Sequence, residues 1–193
     1  MKYLIVSLLL AAPAALIAQT PAVTNAVAAL KQEAQTATDA ETKSLAGDLG
    51  TKVGALSKSL GNNPDTQKQL ESAVGAVLGN KGLAAIEGFQ KLSTAKLTPD
   101  QTKLAKDVYN TGSAYVVKKN FGSLEGSQTE VSQVVAAVRK GNATEALPPL
   151  KKIGQNANLT QPQKDLVSSL TQQYAPGLKK AADGLKSLPG LSK

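Results

Sequence analysis

Leu97-Thr98-Pro99-Asp100-Gln101 and Leu159-Thr160-Gln161-Pro162-Gln163 write the same helix-start signal into this chain twice, with Thr98 and Thr160 62 positions apart. A repeated signal constrains architecture, because each copy marks the same step of a recurring structural unit. In Thr98-x-x-Gln101 the Thr hydroxyl can accept from the third helical amide, and the Gln side chain can reach back to the Thr amide. Pro99 falls on the first helical position, where a missing N–H costs nothing. Thr160-x-x-Gln163 predicts the same geometry. Thr38-x-x-Glu41 and Ser127-x-x-Glu130 have the same box form.

The flanks lengthen the repeat. Ala73-Val74-Gly75-Ala76-Val77 parallels Val134-Val135-Ala136-Ala137-Val138, and each leads into a Gly-Asn turn. Phe89-Gln90-Lys91-Leu92 then parallels Leu150-Lys151-Lys152-Ile153. The expected units are 66–127 and 128–186, with a fainter copy over 23–62, where Leu45 to Leu49 parallels Leu104 to Val108.

Leu45, Leu49, Val53, Leu56 and Leu60 form one apolar stripe at helical spacing. Leu70, Val74, Val77 and Leu78 form another, as do Val131, Val134, Val135 and Val138, and then Leu166, Leu170, Tyr174 and Leu178. No segment shows sustained two-residue alternation. The pattern predicts an all-α fold, a helical-hairpin repeat or bundle of about seven or eight helices in a single domain over 19–186. Breakers at Gly61 to Pro64, Gly79-Asn80, Gly122 to Ser127 and Gly141-Asn142 separate the helices. Pro148-Pro149 predicts a delayed or kinked helix, and Pro176-Gly177 a break in the last one. Residues 187–193 read as a flexible tail.

Residues 1–18 read as a cleaved signal peptide. Lys2 supplies the basic start, Tyr3 to Ile17 the apolar run, and small residues lead to a cut after Ala18. Export to a bacterial periplasm or the extracellular space is the expected localisation. The remaining 175 of 193 residues suffice for one domain burying roughly 70% of its unfolded surface. Aromatics are only 3%, and Trp and Cys are absent, so the core must come from Ala, Val and Leu without disulfide staples.

The absence of His and Cys excludes Ser-His-Asp and Cys-His nucleophilic sites, thiol redox chemistry and the usual zinc constellations. No cofactor is expected. Ser93-Thr94-Ala95-Lys96 fits a Ser-x-x-Lys pattern, but its companion motifs are missing. The 14 acids are dispersed, which ranks a carboxylate-dependent hydrolase last among the readings.

The paired Leu-Thr-x-x-Gln elements resemble those of the Spy/CpxP-like periplasmic proteins. That resemblance implies a hairpin-rich helical dimer acting as an energy-independent chaperone or stress regulator. This chain departs from the family in having one Met, no His and Arg139 as its one Arg. Gly141-Asn142-x-x-Glu145-Ala146-x-x-x-Leu150-x-x-Ile153 is similar to the turn and second helix of a tetratricopeptide-like hairpin.

The net charge is +8 and falls to +7 once Lys2 leaves with the leader. Lys dominates over Arg, which disfavours sequence-specific reading of nucleic acid. Lys118-Lys119, Arg139-Lys140, Lys151-Lys152 and Lys179-Lys180 fall late in expected helices, where positive charge suits the C-terminal dipole. The same eight residues are the candidate surface for an anionic envelope component. Thr98, Gln101, Thr160 and Gln163 are read as structural caps, and Tyr109, Tyr115, Tyr174 and Phe121 as core or groove lining. The leading expectation is a non-enzymatic binding or scaffold protein that presents an apolar groove with a Lys rim to a protein or peptide.

Overall fold

The computed structural model describes residues 21–61 and 63–186, with side chains described from Ala22 to Ala175. The expected leader, the tail 187–193 and the side chains of Lys179, Lys180, Leu178 and Leu185 lie outside the described residues. Within them the chain is all-helical: α1 Pro21–Thr36, α2 Ala40–Leu60, α3 Pro64–Leu78, α4 Gly82–Ser93, α5 Pro99–Phe121, α6 Gln128–Arg139, α7 Ala143–Gly154 and α8 Gln161–Lys186. No described helix is long and apolar enough to cross a membrane.

The stripes face inward as their spacing requires. Leu45, Leu49, Val53 and Leu56 are fully buried, and so are Leu70, Val74, Val134 and Leu170. Sequential helices pack as hairpins, α1 on α2, α3 on α4, α6 on α7 and α7 on α8. Long-range packing centres on α5, which contacts α2, α4 and α6. Its middle, Thr111 to Val117, is buried on every side. A helix buried all round carries no apolar stripe, and this is why α5 gave no periodic signal despite sitting at the centre.

The internal repeat has a physical register. Leu70, Ala73, Val74 and Val77 of α3 are buried, and so are Val131, Val134, Val135 and Val138 of α6, 61 positions later. The turns that follow close identically. Lys81 N donates to Ala76 O (2.8 Å) and Asn142 N to Ala137 O (2.9 Å), while Asn80 N and Gly141 N donate to Val77 O and Val138 O. Asn80 (φ 57°) and Gly141 (φ 68°) both take the left-handed conformation these turns need. Asn80 thus corresponds to Gly141, not to the Asn of the second Gly-Asn pair. One residue inserted in the next loop restores the 62-residue offset at Thr98 and Thr160.

Four local expectations are corrected. The α2 cap is Asp39, not Thr38: its carboxylate accepts from the Thr42 amide at 2.8 Å and the Thr42 hydroxyl at 2.7 Å. Ser127 precedes α6 but caps nothing, because its hydroxyl accepts from Asn156 Nδ2 at 2.9 Å. Pro148 and Pro149 lie inside α7, which begins promptly at Ala143. The donors they lack would have served the carbonyls of Thr144 and Glu145, two exposed residues whose carbonyls water can reach. Pro176-Gly177 does not divide α8, which runs unbroken to Lys186. The carbonyl released there belongs to the exposed Gln172.

Candidate functional site

The two Leu-Thr-x-x-Gln elements do more than begin helices. Thr98 and Gln101 form the complete reciprocal box, with Thr98 Oγ1 accepting from the Gln101 amide (3.3 Å) and Gln101 Oε1 from the Thr98 amide (3.1 Å). At Thr160 only half the box forms. Gln163 Oε1 accepts from both the amide and the hydroxyl of Thr160, at 2.9 and 3.0 Å. In both copies the Gln nitrogen is left over, and it crosses to another helix. Gln101 Nε2 donates to Ser59 O near the end of α2 (2.7 Å), and Gln163 Nε2 to Asn120 O near the end of α5 (2.6 Å). Each motif therefore fastens the start of one unit's last helix to the end of the preceding unit's last helix. Gln is required because it supplies an acceptor for the cap and a donor for the clamp.

The candidate basic residues are largely engaged in fastening of their own. Lys118 lies 2.9 Å from Glu41 and 3.4 Å from Asp39, joining the end of α5 to the start of α2. The Glu41 hydrogen bond and charge raise the Lys118 pKa, and bonding from Thr42 lowers that of Asp39. Lys119 pairs with Glu33 of α1 at 2.5 Å and sits 5.6 Å from the Tyr115 ring centroid. Burial, then Glu33, pushes the Tyr115 hydroxyl far above its ordinary range, so it stays protonated. Arg139 donates to Asp48 of α2 at 2.8 Å. Lys152 stands 3.9 Å from Glu130. Lys140 and Lys151 are exposed. Lys118, Lys119 and Arg139 thus lash α1 and α2 onto α5 and α6.

Three concave features of the described residues lie elsewhere, along α8. α2 packs closely along α5, but α5 and α8, related by the repeat to α2 and α5, share no close backbone interface. They meet through long side chains: Gln163 on Asn120 at one end, and Tyr109 OH donating to Gln173 Oε1 (3.0 Å) at the other. The close backbone contact of the first half is therefore replaced in the second by side chains, and Leu166, Leu170 and Tyr174 of α8 are buried.

A cleft of about 440 Å³, within the usual range of ligand sites, lies between the start of α4 and the start of α8, with Asn120 of α5 in its lining. Leu83, Ala84, Pro162 and Leu166 supply its apolar surface, and Lys81, Glu87 and Asp165 are its charged lining residues. The turn before α4 forms its edge, pressed so close that a Cβ on Gly82 would lie 2.9 Å from Asn120 Nδ2 and 3.1 Å from Leu166 Cδ2. Glu87 then continues into a trough of about 380 Å³ between α4 and α8, lined by Gln90, Ser169, Gln172 and Gln173. Gln173 in turn belongs to a smaller cavity of about 170 Å³ beneath the α6–α7 turn, lined by Tyr109, Asn110, Asn142 and Tyr174. A shallow, open depression on the outer face of α6, at Gln128 to Ala136, is separate from this system.

Of the four aromatics read as core or groove lining, Tyr115 and Phe121 are fully buried in the core, and Tyr109 and Tyr174 border the small cavity. The sequence did not point to Ala84, Glu87, Gln90 or Asn120. One signal was available on α8, where Pro162, Asp165, Ser169 and Gln172 recur at helical spacing on its polar side. Ser93 of the Ser-x-x-Lys pattern donates to Gln90 O at 2.8 Å as a helix end does. Among the described residues no three acids gather where they could hold a metal. No family model matches this chain, and no curated protein or solved structure is significantly similar to it.

Proposed function

We propose that this chain is an exported, non-enzymatic binding protein that holds an unfolded segment of another protein along the trough between α4 and α8. The groove between α4 and α8 carries this reading. It offers an apolar cleft large enough for one or two side chains, beside a run of Gln and Ser whose groups can both donate to and accept from a peptide backbone. The lining mixes Lys81 with Glu87 and Asp165, so it is not uniformly basic. Capture should therefore fall only modestly as salt rises, unlike binding through a uniformly basic face. The resemblance of the paired Leu-Thr-x-x-Gln elements to those of exported holding proteins points the same way.

Residues 19–193 at equimolar ratio should suppress aggregation of a chemically unfolded client. Ala84→Arg should reduce that suppression at least tenfold while leaving the thermal midpoint unchanged, because Ala84 is exposed and its side chain projects where the client would lie. No suppression at equimolar protein, or full activity in the Ala84→Arg variant, would refute the reading.

A further inference from the structure

The helices close two rings of neighbours that share α4 and α5. The first runs α1, α2, α5, α4, α3 and back to α1, and the second runs α4, α5, α6, α7, α8 and back to α4. Of the contacts that close these rings, α4 on α8 is the slightest, and the cleft and the trough both lie along it. On its other side α8 is held firmly. It packs along α7, so closely that a Cβ on Gly154 would lie 3.1 Å from Val167 Cγ1.

The face of α8 turned toward α4 and α5 is apolar. Leu166 Cδ2 lies 3.1 Å from where a Cβ on Gly82 of α4 would sit, and Tyr174 borders the small cavity together with Tyr109 of α5. Leu170 falls between them at helical spacing. Leu166 is 1% exposed, Leu170 0% and Tyr174 7%, so the closed molecule shows almost none of this stripe. Two side-chain hydrogen bonds fasten α8 to α5, Gln163 Nε2 to Asn120 O and Tyr109 OH to Gln173 Oε1. Water can take the place of either partner in both.

We infer that the α4–α8 edge is a gate: α8 stays on α7 and parts from α4 and α5, baring Leu166, Leu170 and Tyr174 to the client. The inference rests on the holding function proposed above and adds to it an apolar surface that the closed form hides. The closed cleft admits one or two side chains, whereas the bared stripe spans eight residues, or about 12 Å at ~1.5 Å per residue. Apolar attraction grows with the area removed from water, so an unfolded segment binds the open form better and shifts the population toward it. Gly82 sets how tightly the gate shuts. A Cβ there would lie 2.9 Å from Asn120 Nδ2 and 3.1 Å from both Leu166 Cδ2 and Val116 Cγ1, where α4, α5 and α8 meet. Gly82→Ala therefore acts as a wedge.

The chain contains no Cys, so a single introduced thiol reports exposure. In residues 19–193, Leu170→Cys is compared with Leu49→Cys, an equally buried site in the first ring. Under native conditions a maleimide should modify the Leu170→Cys thiol at least a hundredfold faster than the Leu49→Cys thiol. Adding Gly82→Ala should raise the first rate at least fivefold, leave the second unchanged and strengthen capture of an unfolded client. If Leu170→Cys lowers the thermal midpoint, the near-isosteric pair Val116→Cys and Val53→Cys gives the same comparison, both sites being buried. Equal rates at the two sites, with or without Gly82→Ala, would mean that α8 parts from α4 only when the whole protein unfolds. That result overturns the gate and leaves the holding function standing. Faster labelling with unchanged capture also overturns it, because the bared stripe then plays no part in holding. No capture by the unmodified protein removes both readings.

Discussion

Replacing Gly112 with alanine should destabilise this protein by about 2–3 kcal/mol, a fall of roughly 5–10 °C in thermal midpoint for a domain of this size. Gly112 faces α4 from the buried middle of α5, and a Cβ there would lie 2.7 Å from Cδ2 of Phe89 and 2.9 Å from Cζ. Phe89 is fully buried and cannot swing aside. The repeat shows how the conflict can be relieved. In the second unit Leu150 stands where Phe89 stands in the first, and Tyr174 stands at the position of Gly112, so the large partner has moved across the interface. Phe89→Leu combined with Gly112→Ala should therefore recover at least 1 kcal/mol of the summed cost of the two single changes. Urea denaturation of the four proteins in the cycle measures this. Strict additivity would show that the two residues do not share one contact.

Gln101→Glu and Gln163→Glu separate capping from clamping. In an ordinary capping box, Glu serves as well as Gln at the third position and gains from the helix dipole. Here the substitution keeps the acceptor for the Thr amide but removes the donor, and it sets a carboxylate against Ser59 O or Asn120 O. The loss should be about 1–2 kcal/mol at Gln163, whose clamp is partly buried, and smaller at the more exposed Gln101. The double variant should lose about 2–3 kcal/mol. Denaturant midpoints decide the matter, and unchanged or raised stability in both single variants would reduce the motif to a cap.

Stripes, breakers and caps made most of the fold readable in the chain. Leu45 to Leu60 and Val131 to Val138 announce their helices because one face of each meets the core and the other meets water. α5 stayed silent for the opposite reason, since Thr111 to Val117 are covered on all sides. The prolines of α7 misled because their cost depends on whether the freed carbonyls reach water, which no local pattern reports. The dibasic pairs were visible, but Glu33, Glu41 and Asp48, which engage Lys119, Lys118 and Arg139, are 86, 77 and 91 positions away from them. The trough escaped notice because it lies between α4 and α8, helices of different units whose meeting no local pattern reports. Sequence similarity between two units cannot show that their interfaces differ.

Site-specific photo-crosslinking most directly tests whether the α4–α8 groove is the binding site. A photoreactive side chain placed at Ala84, in the cleft, is compared with one at Ser132, in the shallow depression on α6. With an added unfolded client in both cases, Ala84 should capture the client and Ser132 should yield little or none. Excess unlabelled unfolded client should suppress the capture at Ala84. Equal capture at both positions, or capture at Ser132 alone, would contradict the claim that the α4–α8 groove is where this protein holds its partner.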